Sequence, residues 1–192
     1  MLILSIGPSG VGKSSLASYA SAKLSNCKFD DLDNLIAKES RAQEAQHVLI
    51  QYGSDIFFQK SVGIVENIRN QNDKQLYLIA VGAGTLESLQ SKNWLKNYTT
   101  ISITAPPEEV IVRNPLGPDR DIEEFKMREY SPFRLSLYQS ANFNFPVDGL
   151  TETEAQAKFV EFLNEEILKN YDVNNRQQFK YLRRNNGPKC DN

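Results

Sequence analysis

The sequence predicts an α/β fold built on a parallel β-sheet. Two observations carry that prediction. Short apolar segments alternate with helix-like ones along the chain, as when crossover helices join parallel strands. The first apolar segment also runs directly into a glycine-rich turn and then a helix, the order of a βα unit. A length of 192 residues suits one domain with enough chain to bury a core.

Each element can be justified in order. Residues 2–6 (LILSI) are a short apolar run, as a buried strand requires. Residues 15–24 read as a helix, with Leu16, Ala17, Ala20 and Leu24 at helical spacing. Residues 27–29 begin a second strand that ends at Asp30-Asp31-Leu32-Asp33. Residues 76–81 (LYLIAV) are a third strand, stopped by Gly82-Ala83-Gly84. Residues 98–104 alternate as a fourth, ended by Pro106-Pro107. Residues 143–147 are a short last strand. Residues 56–68, 123–140 and 154–168 read as helices.

The bulk numbers narrow the function. Hydrophobic residues make up 40% and charged residues 24%, and the net charge is −2. That balance signals neither nucleic acid nor an anionic membrane as partner. No apolar run approaches the roughly 20 residues of a membrane span, and the N-terminus reads as a strand, not a signal peptide. Cys27 and Cys190 are too few and too far apart for a disulfide framework or zinc site, so Cys27 is expected as a reduced core residue. The expected setting is cytoplasmic and the expected state a monomer.

The chemistry sits first in Gly7-Pro8-Ser9-Gly10-Val11-Gly12-Lys13-Ser14, which matches the phosphate-binding pattern G-x-x-x-x-G-K-[ST]. Strand, loop and helix follow in the order the motif needs. Backbone N–H groups turned inward and a helix N-terminus together hold an anion. Gly7, Ser9, Gly10, Val11, Gly12, Lys13, Ser14 and Ser15 are therefore expected to hold ATP. Lys13 would reach the β- and γ-phosphates, and Ser14 would bind Mg²⁺. The plainer alternative is a Gly-rich turn with an exposed lysine. Nothing resembles N-K-x-D, so ATP is favoured over GTP.

Ligands of open parallel sheets sit beyond the carboxyl ends of the strands, which places Asp31, Asp33 and the Gly82-Ala83-Gly84 turn in one crevice with the loop. Two carboxylates at i and i+2 on extended chain point to one side. One would orient Mg²⁺ and the other take a proton from an attacking hydroxyl. The plainer reading makes Asp31 a turn residue and Asp33 a helix N-cap. The glycine turn is either a simple reversal or a close approach to ligand. Arg113 and Arg120 lie in a segment rich in Pro and Gly (about residues 112–122) that reads as a mobile lid, with solvated loop arginines as the plainer alternative. His47 is expected on a helix surface, and Trp94 is expected to pack a loop against the core. Residues 171–192 read as a polar tail after a domain of residues 1–170.

Together these residues resemble the shikimate kinase family, and the likeness runs over most of the chain. The resemblance implies a three-layer α/β/α P-loop kinase fold with a parallel sheet of about five strands. It implies ATP-dependent phosphorylation of a small hydroxylated metabolite, with shikimate first and a related cyclic polyol or sugar acid second. Asp31-x-Asp33 is similar to the family pair that supports Mg²⁺ and contacts the substrate hydroxyl. Tyr52-Gly53-Ser54-Asp55-Ile56-Phe57-Phe58 resembles G-E-x-x-F-R, and Gly82-Ala83-Gly84 its substrate-binding Gly-Gly-Gly turn. Val112-Arg113-Asn114-Pro115-Leu116 resembles the lid R-P-L-L, so Arg113 would close over the γ-phosphate. Arg134-Leu135-Ser136-Leu137-Tyr138 resembles R-x-P-L-Y, whose arginine binds the substrate carboxylate. Residues 147–151 resemble the loop near the adenine.

The departures fall on the acceptor side. The family's arginine after Phe is replaced by Phe58, or by Gln59 in a register shifted by one. Ser54, Asp55, Ser61 and Val62, the helical neighbours, supply no cation. Losing one hydrogen bond to a charged group is expected to weaken carboxylate binding by about tenfold to a hundredfold. Ala83 adds a methyl to the glycine turn. A second class of function also stays open: a kinase-derived module that binds nucleotide without catalysis. A nucleotide kinase is a weaker third, because no arginine-rich monophosphate site is evident.

Overall fold

A computed structural model describes residues 1–71, 75–113 and 121–169. Five strands form one sheet: β1 (Leu2–Ile6), β2 (Cys27–Asp31), β3 (Leu76–Ala80), β4 (Thr99–Thr104) and β5 (Phe143–Pro146). Their order is β2-β3-β1-β4-β5 and every pairing is parallel. β1 is central, with Ile3 opposite Leu78 on one side and Thr99 on the other. Parallel strands need crossovers, so helices cover both faces.

Alternating side chains divide the core. Ile3, Leu78, Ile101, Ile103 and Phe145 pack on one face beneath α1 (Lys13–Lys23) and α8 (Glu152–Phe162). Leu4, Ile6, Ile79 and Val81 pack on the other beneath α2 (Leu32–Glu39), α3 (Ala45–Gln71) and α7 (Pro132–Gln139). All of these side chains are buried. The shortest helices are α4 (Ser91–Leu95) and α5 (Pro107–Arg113), with a 3₁₀ turn at Ala83–Glu87.

Several expectations need correction. The expected helix over residues 56–68 is longer, and Gly53, at φ 80° and ψ 169°, breaks it. The expected single helix over residues 123–140 is two: α6 (Ile122–Glu129) and α7. Pro132 has no N–H to continue a helix and pushes the preceding residue out of the α region. Ser131 then caps α7, accepting from the Arg134 N–H at 3.3 Å. The closing helix starts at Glu152 behind a Thr151–Glu154 capping box, and Leu163–Leu168 is a π-helical turn. Trp94 lies in α4, buried edge-on against Phe58 and Tyr98. His47 is exposed on α3. Cys27 is half-buried and free, and burial pushes its thiol up to about 11. The 171–192 tail, Arg120 and most of the expected lid lie outside the described residues. No helix among those described is long and apolar enough to cross a membrane.

The break at Ser131-Pro132 lets the end of α6 and the start of α7 face each other. Ser131→Ala removes its cap. It is expected to cost about 1 kcal/mol of stability, measured as a shift in the urea unfolding midpoint at unchanged slope.

Candidate active site

Two of the clefts at the carboxyl ends of the strands share the loop of residues 7–14. Gly10 lines both. In the loop, Gly10 and Gly12 have φ of +82° and +108°, conformations that help turn consecutive N–H groups toward one anion.

The first cleft, about 300 Å³, is lined by Ser9, Lys13, Ser14, Asp31, Asp33 and the 82–84 turn, with Phe57, Leu49 and Gln46 from α3. Lys13 is 8% exposed, and its ammonium donates to the Gly7 and Pro8 carbonyls, each at 2.9 Å. Burial pulls its pKa down to about 8, against the opposing pull of Glu129, Asp33 and Asp31. Ser14 Oγ donates to Asp31 Oδ2 at 2.5 Å.

The two aspartates are built differently from the extended-chain expectation. Asp31 ends β2 and caps α2, accepting from the Asp33 and Asn34 N–H groups through Oδ1. Asp33 lies in the first turn of α2. The N-cap is thus Asp31, not Asp33, and helix geometry brings both carboxylates to the cleft. Burial, reinforced by Asp31 and opposed by Lys13, pushes Asp33 up to about 6. Among the described residues its buried Oδ1 has no hydrogen-bond partner, so a substrate hydroxyl there finds no competitor. The carboxylate lies against Gly82, where an added Cβ would fall 2.1 Å from both oxygens.

Ser14 and Asp31 present a hydroxyl and a carboxylate side by side. Among the described residues no larger cluster of His, Cys, Asp or Glu could cage a metal. This fits Mg²⁺, which keeps several waters and takes one or two carboxylates plus substrate phosphates.

The second cleft, about 310 Å³, is lined by Gly10, Val11, Gly12, Ser15, Leu16, Arg113 and residues 147, 150, 151, 152 and 155. Ser15 is held by Glu152 at 2.6 Å and by Gln156 at 3.0 Å. Arg113 ends α5, paired with Glu109 at 2.9 Å and donating to the Val147 and Leu150 carbonyls. It therefore faces this cleft and not the Lys13 side where a γ-phosphate position was expected.

On the acceptor side, neither Phe58 nor Gln59 faces the first cleft. Phe58 is buried against Trp94, and Gln59 is exposed and meets Gln90. Arg134 stands behind the wall of that cleft and does not line it. It is 3% exposed, bonded to Glu129 at 2.8 Å, the Ala83 carbonyl at 3.2 Å and Glu87 at 3.4 Å. The physical reason is Glu129, fully buried and in need of a counter-charge. Glu129 also accepts from the Ser9 N–H at 3.0 Å and from Arg128 Nε at 3.2 Å. Glu129 and Arg128 are site residues that no motif in the sequence marks. The signal near them is Ser131-Pro132, a cap-and-proline pair marking a helix end immediately after them.

The shikimate kinase family model matches residues 9–164. The chain belongs to the shikimate kinase family. A shikimate kinase from Thermodesulfovibrio yellowstonii is 27% identical over 165 residues, covering 82% of this chain and 92% of the relative. The crystal structure of shikimate kinase from Bacteroides thetaiotaomicron superposes with a TM-score of 0.72 at 18% identity, covering 87% of this chain and 98% of that one. Shikimate kinase from Acinetobacter baumannii in complex with shikimate gives 0.65 at 19% identity, covering 87% and 94%. The sheet flanked by helices is the fold of these structures.

The Gly82–Asp33 contact yields a prediction. Gly82 has φ −70°, so alanine there adds no backbone strain, only a methyl on the Asp33 carboxylate. Gly82→Ala is expected to lower kinase turnover by about 10²-fold while the melting temperature and ATP affinity stay near wild type. Steady-state kinetics beside a thermal melt check it.

Proposed function

We propose that this chain transfers the terminal phosphate of ATP to a hydroxyl of shikimate. The observation that carries the proposal is the meeting of Lys13, Asp31 and Asp33 in one cleft against the phosphate loop. Family membership supports the reaction and disfavours a non-catalytic nucleotide-binding module. The catalytic domain is residues 1–170, acting as a monomer in the cytoplasm, with a lid at about 112–122 and an appended tail.

In this reading the loop N–H groups of residues 10–14 and Lys13 bind the β- and γ-phosphates. Ser14 and Asp31 would hold Mg²⁺, which when bound neutralises phosphate charge. The adenosine end lies in the second cleft, along Ser15, Arg113 and residues 147–151. The acceptor enters the first cleft beside Gly82, Ala83 and Gly84, with its ring against Phe57 and Leu49. Asp33 accepts the hydroxyl proton as the oxygen bonds to phosphorus and ADP leaves. Lys13 offsets the charge on the transferring group. A lid closing over the loop would exclude water as a competing acceptor.

The pH dependence follows with a fixed sign. A base works when ionised, so activity is lost as pH falls through the Asp33 value of about 6. Phosphate binding needs the Lys13 ammonium, so activity is lost as pH rises through about 8. The profile of kcat/KM should be a bell between these limbs. The alkaline limb should move upward in kcat, because bound phosphate holds the lysine proton. A profile without an acid limb contradicts Asp33 as base.

Asp33→Asn keeps shape and removes the base. Turnover is expected to fall by about 10²–10⁴-fold with ATP affinity retained. Unchanged transfer to shikimate in this variant would refute the assignment.

A further inference from the structure

We infer that Arg128, aimed by Glu129, is the residue of the first cleft that reads an anion on the acceptor, with Arg134 serving as buried counter-charge to Glu129. This rests on the proposed acceptor reaction.

Four carboxylates line that cleft: Asp31, Asp33, Glu87 and Glu129. Only Lys13 and Arg128 line it as cations among the described residues. The Lys13 head is turned onto the loop carbonyls at the nucleotide end. The Arg134 guanidinium is spent on Glu129, Glu87 and Ala83 behind the wall.

Arg128 differs from both. Its side chain is 47% exposed. Among the described residues its one hydrogen bond is from Nε to Glu129 Oε1, at 3.2 Å. Among the described residues neither terminal NH₂ group has a partner, the residue lines the cleft, and a guanidinium edge of this kind receives a carboxylate through paired N–H bonds. Neighbouring residues of a helix do not face each other, so the bond to Glu129 draws the Arg128 head round. Glu129 is itself fixed, because its other oxygen takes the Ser9 N–H and the Arg134 guanidinium. One carboxylate thus ties the phosphate loop to the cation of the acceptor cleft. Glu129 is a positioning residue and Arg128 a specificity-determining one.

The test measures binding of shikimate and its neutral methyl ester to wild type and Arg128→Gln by calorimetry, with a non-hydrolysable ATP analogue present. Wild type is expected to prefer the acid. In Arg128→Gln the acid should weaken by about tenfold or more, while the ester and the ATP analogue bind as before. Arg128→Lys, which keeps charge but loses the fork, should fall between. Glu129→Gln should lose acid-over-ester preference in the same sense, in protein whose melt shows it folded. Equal weakening of acid and ester, unchanged acid binding, or weakening of the ATP analogue alone overturns the inference. The last outcome would mean that Arg128 reads nucleotide phosphate. Turnover separates the two readings. Wild type that binds the acid through Arg128 yet transfers no phosphate keeps the inference and defeats the proposed reaction. Wild type that turns over shikimate with Arg128→Gln unimpaired does the reverse.

Discussion

The constraint on which this site depends is the burial of charge at the carboxyl ends of a parallel sheet. Lys13 is nearly removed from water, and three carboxylates help it keep its proton. Each of those carboxylates needs a partner in turn. Asp31 takes the Ser14 hydroxyl and two N–H groups of α2. Glu129 takes Ser9, Arg128 and Arg134. Of these three carboxylates, only Asp33 has a buried oxygen without a partner among the described residues. Removing one member of a buried ion pair costs about 3–5 kcal/mol because the other charge is stranded. The cluster is therefore fixed as a unit, and its unsatisfied carboxylate oxygen belongs to the group assigned to accept a proton.

Fold and chemistry are joined by a few local choices. β1 is central, so the loop that follows it is shared by two clefts. β2 ends at Asp31, so one side chain both starts α2 and meets Ser14. Gly82 follows β3, so its missing side chain is the space that Asp33 fills. Pro132 splits what would be one helix, so Glu129 on α6 and Arg134 on α7 face each other. Each of these is a backbone decision whose consequence is the position of a charge.

The parts of the site legible in the sequence are those encoded over a short span. The phosphate loop is eight consecutive residues flanked by an apolar strand and a helix, and the structure folds it in that order. Five strands were readable from apolar runs bounded by glycine, proline and acidic residues. The Asp31 and Asp33 pair was readable as a pair, but not that Asp31 is the cap and Asp33 sits on the helix. Arg113 and Arg134 were readable as site-adjacent arginines, but not which cleft the first faces or that the second stands behind a wall. Ser131-Pro132 marked the helix end at Glu129, but its contacts with Ser9 and Arg134 were not legible, because both lie on other elements, Ser9 being 120 residues away. No periodicity reports a contact of that kind. The Phe58 and Gln59 substitution was readable as a missing cation. That both side chains point away from the cleft was not.

Everything in the site converges on one reaction, in which this cleft joins phosphate from ATP to a shikimate hydroxyl. The most direct measurement is phosphorus NMR of the purified protein with ATP, Mg²⁺ and shikimate, alongside an ADP assay. A new phosphate monoester resonance should grow in step with ADP, one for one, and neither signal should appear when shikimate is left out. ADP that accumulates together with inorganic phosphate and without the ester, or ATP that is bound and remains intact, would overturn this assignment.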